Sequence, residues 1–184
     1  MIGRRTTMIA FAIVAAAAII ELAMGRHPIC TCGMVELWVG ARDSPKTSQM
    51  LSDWYSLSHV VHGLLFYALS WLLARRWTVA SRFLAAVFVE AAWEVIENTP
   101  FVIDRYRETT AALGYSGDSV VNSVSDILMM CVGFWLARKL PVWASILLLI
   151  ALEIVPLLVI RDNLTLNIIN LVRPSAALQT WQSR

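Results

Sequence analysis

Three polar clusters carry the side chains best equipped for chemistry: Ser58-His59-x-x-His62-Gly63, Glu90-x-x-x-Glu94-x-x-Glu97-Asn98 and Gly117-Asp118-Ser119-x-x-Asn122-Ser123-x-x-Asp126. Imidazole nitrogens with carboxylate oxygens are the donor set of zinc and related divalent ions. A site of that kind with an open position can activate water or polarise a carbonyl or phosphoryl oxygen. The same groups also suit metal-free chemistry, a histidine acting as general base while a carboxylate orients its ring. His59 and His62 are therefore candidate metal ligands or bases. Glu94, Glu97, Asp118, Asn122 and Asp126 are candidate catalytic residues, and Asn98 is a candidate for positioning substrate. His-x-x-His lacks the adjacent glutamate of a His-Glu-x-x-His metalloprotease helix.

What must position these groups is a membrane-like chain. Of its 184 residues 58% are hydrophobic, a balance that soluble domains of this length do not show. The expectation is one integral membrane domain over 1–184, an all-α polytopic bundle with spans at about 8–24, 55–74, 79–98, 119–137 and 142–160. Outer loops fall at about 25–54 and 99–118, and an interfacial helical segment at 161–184. The first stretch also imitates a cleaved signal peptide, with Arg4-Arg5, an alanine-rich run and Ala23-Met24-Gly25. A formal charge of +2 without a block of basic residues gives no reason to expect nucleic acid.

Arg4-Arg5, Arg75-Arg76 and Arg138-Lys139 fall in the tail and the two tightest connections, where the positive-inside rule places cytoplasmic segments. The amino terminus is then cytoplasmic and the carboxy terminus extracytoplasmic. Alternating crossings put all three polar clusters on one side, whatever the absolute orientation. At 1.5 Å of rise per residue, His62, Glu90, Asp126 and Glu153 lie roughly 10 Å beneath that surface. Within each span the spacing is helical: Tyr55, His59 and His62; Glu90, Glu94 and Glu97; Asp118, Asn122 and Asp126. Polar stripes in a span turn inward, which predicts a polar cavity open to the extracytoplasmic side. The competing reading is a network of hydrogen bonds that holds the helices together.

The first outer loop adds His27-Pro28-Ile29-Cys30-Thr31-Cys32-Gly33. Cys30 and Cys32 suit either a tight disulfide, favoured in an oxidising compartment, or metal ligation, in which the pair joins His59 and His62 in a structural zinc site. Cys131 reads as a small apolar core residue. Asn163, Asn167 and Asn170 form one stripe of a helix that lies along the surface or caps the cavity.

Pro28-x-Cys30-x-Cys32-Gly33, Glu36-Leu37-Trp38, Asp53-Trp54-Tyr55-Ser56-x-Ser58-His59-x-x-His62-Gly63 and Trp93-Glu94-x-x-Glu97-Asn98 together resemble an uncharacterised family of bacterial multi-pass inner-membrane proteins, from about Gly25 to Pro174. The resemblance implies the membrane location and no particular activity. Asp118-x-x-x-Asn122-x-x-x-Asp126 with Gly133 is similar in rhythm to one helix of VanZ-like membrane proteins.

Two functions of different classes follow. One is a metal-assisted hydrolase or group transferase of the outer leaflet, with a divalent ion, zinc first, acting on an amphiphilic or lipid-linked substrate. The other is a non-enzymatic membrane subunit whose polar layer is structural and whose partners are lipids or another protein.

Overall fold

The computed structural model describes residues 3–110 and 114–183; residues 111–113 of the expected 99–118 loop lie outside these. Helices α1 (Arg4–Ala23), α2 (Ser56–Leu73), α3 (Val79–Glu97), α5 (Val120–Lys139) and α6 (Val142–Ile160) occupy the five expected spans. Shorter helices α4 (Pro100–Thr109), α7 (Leu164–Val172) and α8 (Ala176–Gln182) gather at one end. The described residues contain no named strand, only an isolated bridge between Val39 and Asp53. The protein is all-α.

Four of these helices, α1, α2, α5 and α6, are long and apolar enough to cross a membrane. Helix α3 has the length but carries Arg82, Glu90, Glu94 and Glu97. Its two faces explain the difference from the five spans expected. Arg82, Glu90 and Glu94 are buried among the other helices, while Phe88 and Ile96 are exposed. A helix of this kind keeps its charges off lipid by turning them into the bundle.

The bundle is organised around α2 and α5, which cross at Gly63 and Gly133. A Cβ built on Gly63 would sit 2.1 Å from the Met130 carbonyl oxygen, and one on Gly133 2.1 Å from that of Val60. Only the absence of side chains permits this approach, the usual device for bringing helices together where water offers no hydrophobic driving force. Around the crossing, Phe83, Ala86, Val87, Ala91, Ile127, Met130 and Phe134 form the main apolar core with Ala17 of α1. Cys131 is a free thiol of intermediate burial packed against it.

The 25–54 loop folds over the end of the bundle around a small core of Cys30, Val39 and Met50. It supplies what a helix start needs, because the first amides of a helix have no acceptor of their own. The amides of Ser119, Val120 and Val121 donate to the carbonyls of Ser48, His27 and Pro28, and the Ser119 hydroxyl caps the Asn122 amide. A short α4 within the expected 99–118 loop starts on Thr99, whose hydroxyl accepts from Val102, with Pro100 in the first turn. That pairing is a readable start signal. After α6 the chain reverses at Arg161, whose positive φ of 56° ends the helix. Helix α7 then starts on the Asn163 side chain, and Glu153 binds the Thr165 amide and hydroxyl. Glu153 was expected in the polar layer. Its carboxylate instead fastens α7 to α6.

Candidate functional site

The first turns of α2 and α5 and the last turns of α3 meet beneath the loop, so the three polar clusters converge. Glu90 is fully buried and receives both histidines: its Oε1 lies 2.6 Å from His59 Nδ1 and 3.0 Å from His62 Nδ1, with Oε2 3.1 Å from the latter. On the other side of the His59 ring, Nε2 lies 3.6 Å from Asp126 Oδ2. Glu94 approaches His59 Nδ1 to 3.3 Å but without hydrogen-bond alignment, and both its oxygens are buried and unpartnered. His62 stacks on Phe66.

His59, His62 and Glu90 could hold a metal ion, each offering one ligand atom within 4.8 Å of the others. A nitrogen, nitrogen, oxygen set of this kind matches zinc with a fourth position left for water or substrate. Two further features fit. Buried acceptors without partners cost free energy, and the unpartnered Glu94 carboxylate borders this set. Asp126 faces the ring nitrogen of His59 that does not meet Glu90, the placement by which a carboxylate orients a metal-bound imidazole. Glu90 was not a candidate ligand on spacing alone, since it shares its stripe equally with Glu94 and Glu97.

Cys30 and Cys32 are joined to each other as a disulfide, with Cα atoms 5.1 Å apart. Of the two states expected for the pair, this is the disulfide and not the metal-ligating one. A disulfide offers no thiolate, and the histidines' partner is Glu90. The bond instead closes the turn that directly follows His27 and Pro28, whose carbonyls cap α5.

Asp118 sits in a clasp outside the helices. Its amide donates to Asn98 Oδ1 at 2.7 Å, while Asn98 Nδ2 donates to Asp118 Oδ2 at 3.0 Å and also to Ser123 Oγ. Tyr115 donates its hydroxyl to the same Asp118 oxygen. Burial pushes the Asp118 carboxyl up to about 6 despite the bonds from Tyr115 and Asn98. Burial and facing carboxylates hold the phenols of Tyr106 and Tyr115 well above their usual range, so both act as donors. Asn98, expected to position substrate, is occupied by Asp118 and Ser123. Asn122 is equally engaged: it is 1% exposed and donates from Nδ2 to the Met50 carbonyl at 2.8 Å, fastening loop to helix.

A cavity of about 300 Å³ opens above this floor. His59, His62, Glu90, Glu97, Asp118 and Asp126 line its polar side. Phe66, Val89 and Trp93 line the apolar side, and α7 closes it with Leu164, Asn167, Ile168 and Leu171. Of the expected site residues, Glu94 lies behind the floor and Asn122 in the loop junction. Glu21 was missed. It is buried at the end of α1 near Asp118 and Ser123 with both oxygens lacking aligned partners, and a lone glutamate in an alanine-rich span was its signal.

Residues 21–184 match the family model described as "Protein of unknown function (DUF2585)". The chain belongs to this family. Similar proteins, each named UPF0314 protein, come from Paracoccus denitrificans (50% identical, covering 94% of this chain and 90% of the relative) and Sphingopyxis alaskensis (49%, covering 99% and 97%). A third, from Rhizobium etli, is 48% identical over 93% of this chain and 88% of its own length. No solved structure matches. The family match starts at Glu21, so all three polar clusters and the cysteine loop fall within it.

Proposed function

We propose that the protein is a metal-assisted hydrolase or group transferase of the bacterial inner membrane, acting on an amphiphilic or lipid-linked substrate at the outer leaflet. One observation carries this reading: the His59, His62 and Glu90 donor set opens directly into a cavity with a carboxylate floor and an apolar wall. His59, His62 and Glu90 hold a divalent ion, zinc on the chemistry of the donors, with Glu94 beside them and Asp126 orienting His59. When bound, such an ion polarises an oxygen of the substrate or acidifies a water. Glu97 and Asp118 border the same space and are placed to take up and return a proton, with Tyr106 and Tyr115 donating to them. The apolar wall would seat the hydrocarbon part of the substrate, since α7 presents leucine and isoleucine to the cavity from the membrane-surface end.

A second reading, a membrane subunit with a structural polar layer, is favoured by the Asn98 to Asp118 clasp and the Asn122 to Met50 tie, which spend side chains on holding the fold. Partners in that case are lipids or another protein. The two readings separate on His62, which is only partly buried and whose loss leaves Glu90 paired with His59. Gently purified protein should carry about one equivalent of zinc. His62→Ala should lose the metal and fail to complement a deletion strain at unchanged membrane abundance. A metal-free wild type, or loss of abundance in step with loss of complementation, would favour the subunit.

A further inference from the structure

The cavity's hydrogen-bonding capacity is lopsided. Its wall offers acceptors on four separate stretches of chain: Glu97 on α3, Asp118 ahead of α5, Asp126 on α5 and Asn167 on α7. Two of these have an oxygen without an aligned hydrogen-bond partner, Asp126 Oδ1 and Asn167 Oδ1, on residues 4% and 7% exposed. A buried acceptor left unpaired is costly, and a ligand's donor would relieve that cost. No lysine or arginine lines the cavity among the described residues. Three guanidinium groups at this end of the bundle are engaged with backbone carbonyls: Arg26 with Ser116 and Asp118, Arg42 with Ile160 and Gln182, and Arg105 with Leu171. Phosphate sites are built the other way round, from arginine, lysine and free amides.

We infer that the ligand headgroup is a donor-rich, non-anionic group, bearing hydroxyls or amines and no phosphate, carried on an apolar chain that lies against Phe66, Val89 and the inner face of α7. Acceptors dispersed around the wall are used best by several donors on one ring or polyol. Trp93 and three tyrosines, Tyr55, Tyr106 and Tyr115, line the same space and supply aromatic rings against which such a group can pack. This rests on the reading of the cavity as an amphiphile site but not on the metal, because the acceptors concerned lie outside the His59, His62 and Glu90 set.

The test uses the full-length protein in nanodiscs with four probes that share an eight-carbon chain, below their micelle concentrations: octyl glucoside, octylamine, octyl phosphate and methyl octanoate. Saturable binding, read as a rise in melting temperature and by calorimetry, is expected for the glucoside or the amine, and which of them binds identifies the donor. Octyl phosphate and the ester, which accepts but does not donate, should not compete. Asn167→Leu should weaken the bound probe about tenfold, the worth of one hydrogen bond. Asn167→Asp, which keeps an acceptor, should retain it and guards against mere misfolding of α7. Binding of octyl phosphate as tight as the others, or four indistinguishable probes, would overturn the inference. Zinc content measured on the same discs reports separately on the proposed activity, so glucoside or amine binding without metal would sink the metal-assisted reading and leave this one standing.

Discussion

Gly63 and Gly133 lie face to face across the α2–α5 crossing, each so close to the opposite backbone that no Cβ fits on either. The relationship matters for the site because α2 carries both histidines and α5 carries Asp126, and the crossing fixes how far apart their first turns stand. Gly63→Ala or Gly133→Ala would force a methyl to 2.1 Å from a carbonyl oxygen, and neither backbone can yield without separating the helices. Overpacking of well-packed sites costs about 1 to 3 kcal/mol, and a clash with backbone belongs at or above the top of that range. Both variants should melt well below the wild type and be depleted from the membrane. Near-normal abundance of either would mean that the helices are not packed this closely.

Asn122 should behave unlike the cavity residues although the three-cluster pattern groups it with them. Its side chain ties α5 to the Met50 carbonyl, far from open space. Asn122→Ala leaves that carbonyl unpaired at about 1 to 3 kcal/mol. Reduced melting temperature and reduced abundance are expected, with metal content per surviving molecule unchanged. An Asn122→Ala protein of full stability that had lost its metal would place Asn122 among the ligands instead.

The cysteines and the orientation are checked together. Reporters fused after Arg76 and after Arg107 should report cytoplasm and exterior respectively, following the basic pairs in the short connections. With Cys30 and Cys32 joined, a membrane-impermeant maleimide on intact spheroplasts should label the chain only after reduction, and Cys131 should resist until the protein is unfolded. Labelling without reductant would show free thiols. The reverse reporter pattern would invert the topology but leave the convergence of the three clusters intact.

Helical period and alternate crossing suffice to bring His59, Glu94 and Asp126 to one end, because both are properties of local sequence and bilayer thickness. Which glutamate the histidines meet is not local. It depends on the depth at which α3 passes α2, set by packing between helices, and so Glu90 is indistinguishable from Glu94 and Glu97 until the fold is known. The roles of Asn98 and Asn122 are obscured for a related reason: an amide near a carboxylate suits substrate as well as it suits a loop carbonyl, and the partner of Asn122 comes from residue 50, far along the chain. The spacing of Asn163, Asn167 and Asn170 allows a surface helix or a cap over the cavity, and cannot choose between them because the reversal that sets α7 against the cavity rests on one residue, Arg161, in a left-handed conformation that only the closing of the chain demands.

Asp162 gives a pH prediction whose sign can be worked out. It is 0% exposed just beyond α6, accepting from Tyr55, the Asn163 amide and the Gln182 side chain. Burial raises its carboxyl from 3.8 to about 6, outweighing those hydrogen bonds and Arg42. The folded state therefore holds this proton more tightly than the unfolded chain does. The contribution of Asp162 to stability is greatest below about pH 4, falls as pH rises towards 6 and stays low above it. Asp162→Asn removes the titration, and its carbonyl can still accept from Asn163 and Gln182. Relative to wild type the variant should gain stability as pH rises from 4 to 7, by on the order of 2 kcal/mol, less whatever attraction to Arg42 is lost. Comparing the two proteins at each pH cancels the other groups that titrate in the same range, Asp118 among them. A difference that stays flat from pH 4 to 8, or that turns against the variant with rising pH, would mean that Asp162 is held as a stable anion and that the α6–α7 turn is built around its charge.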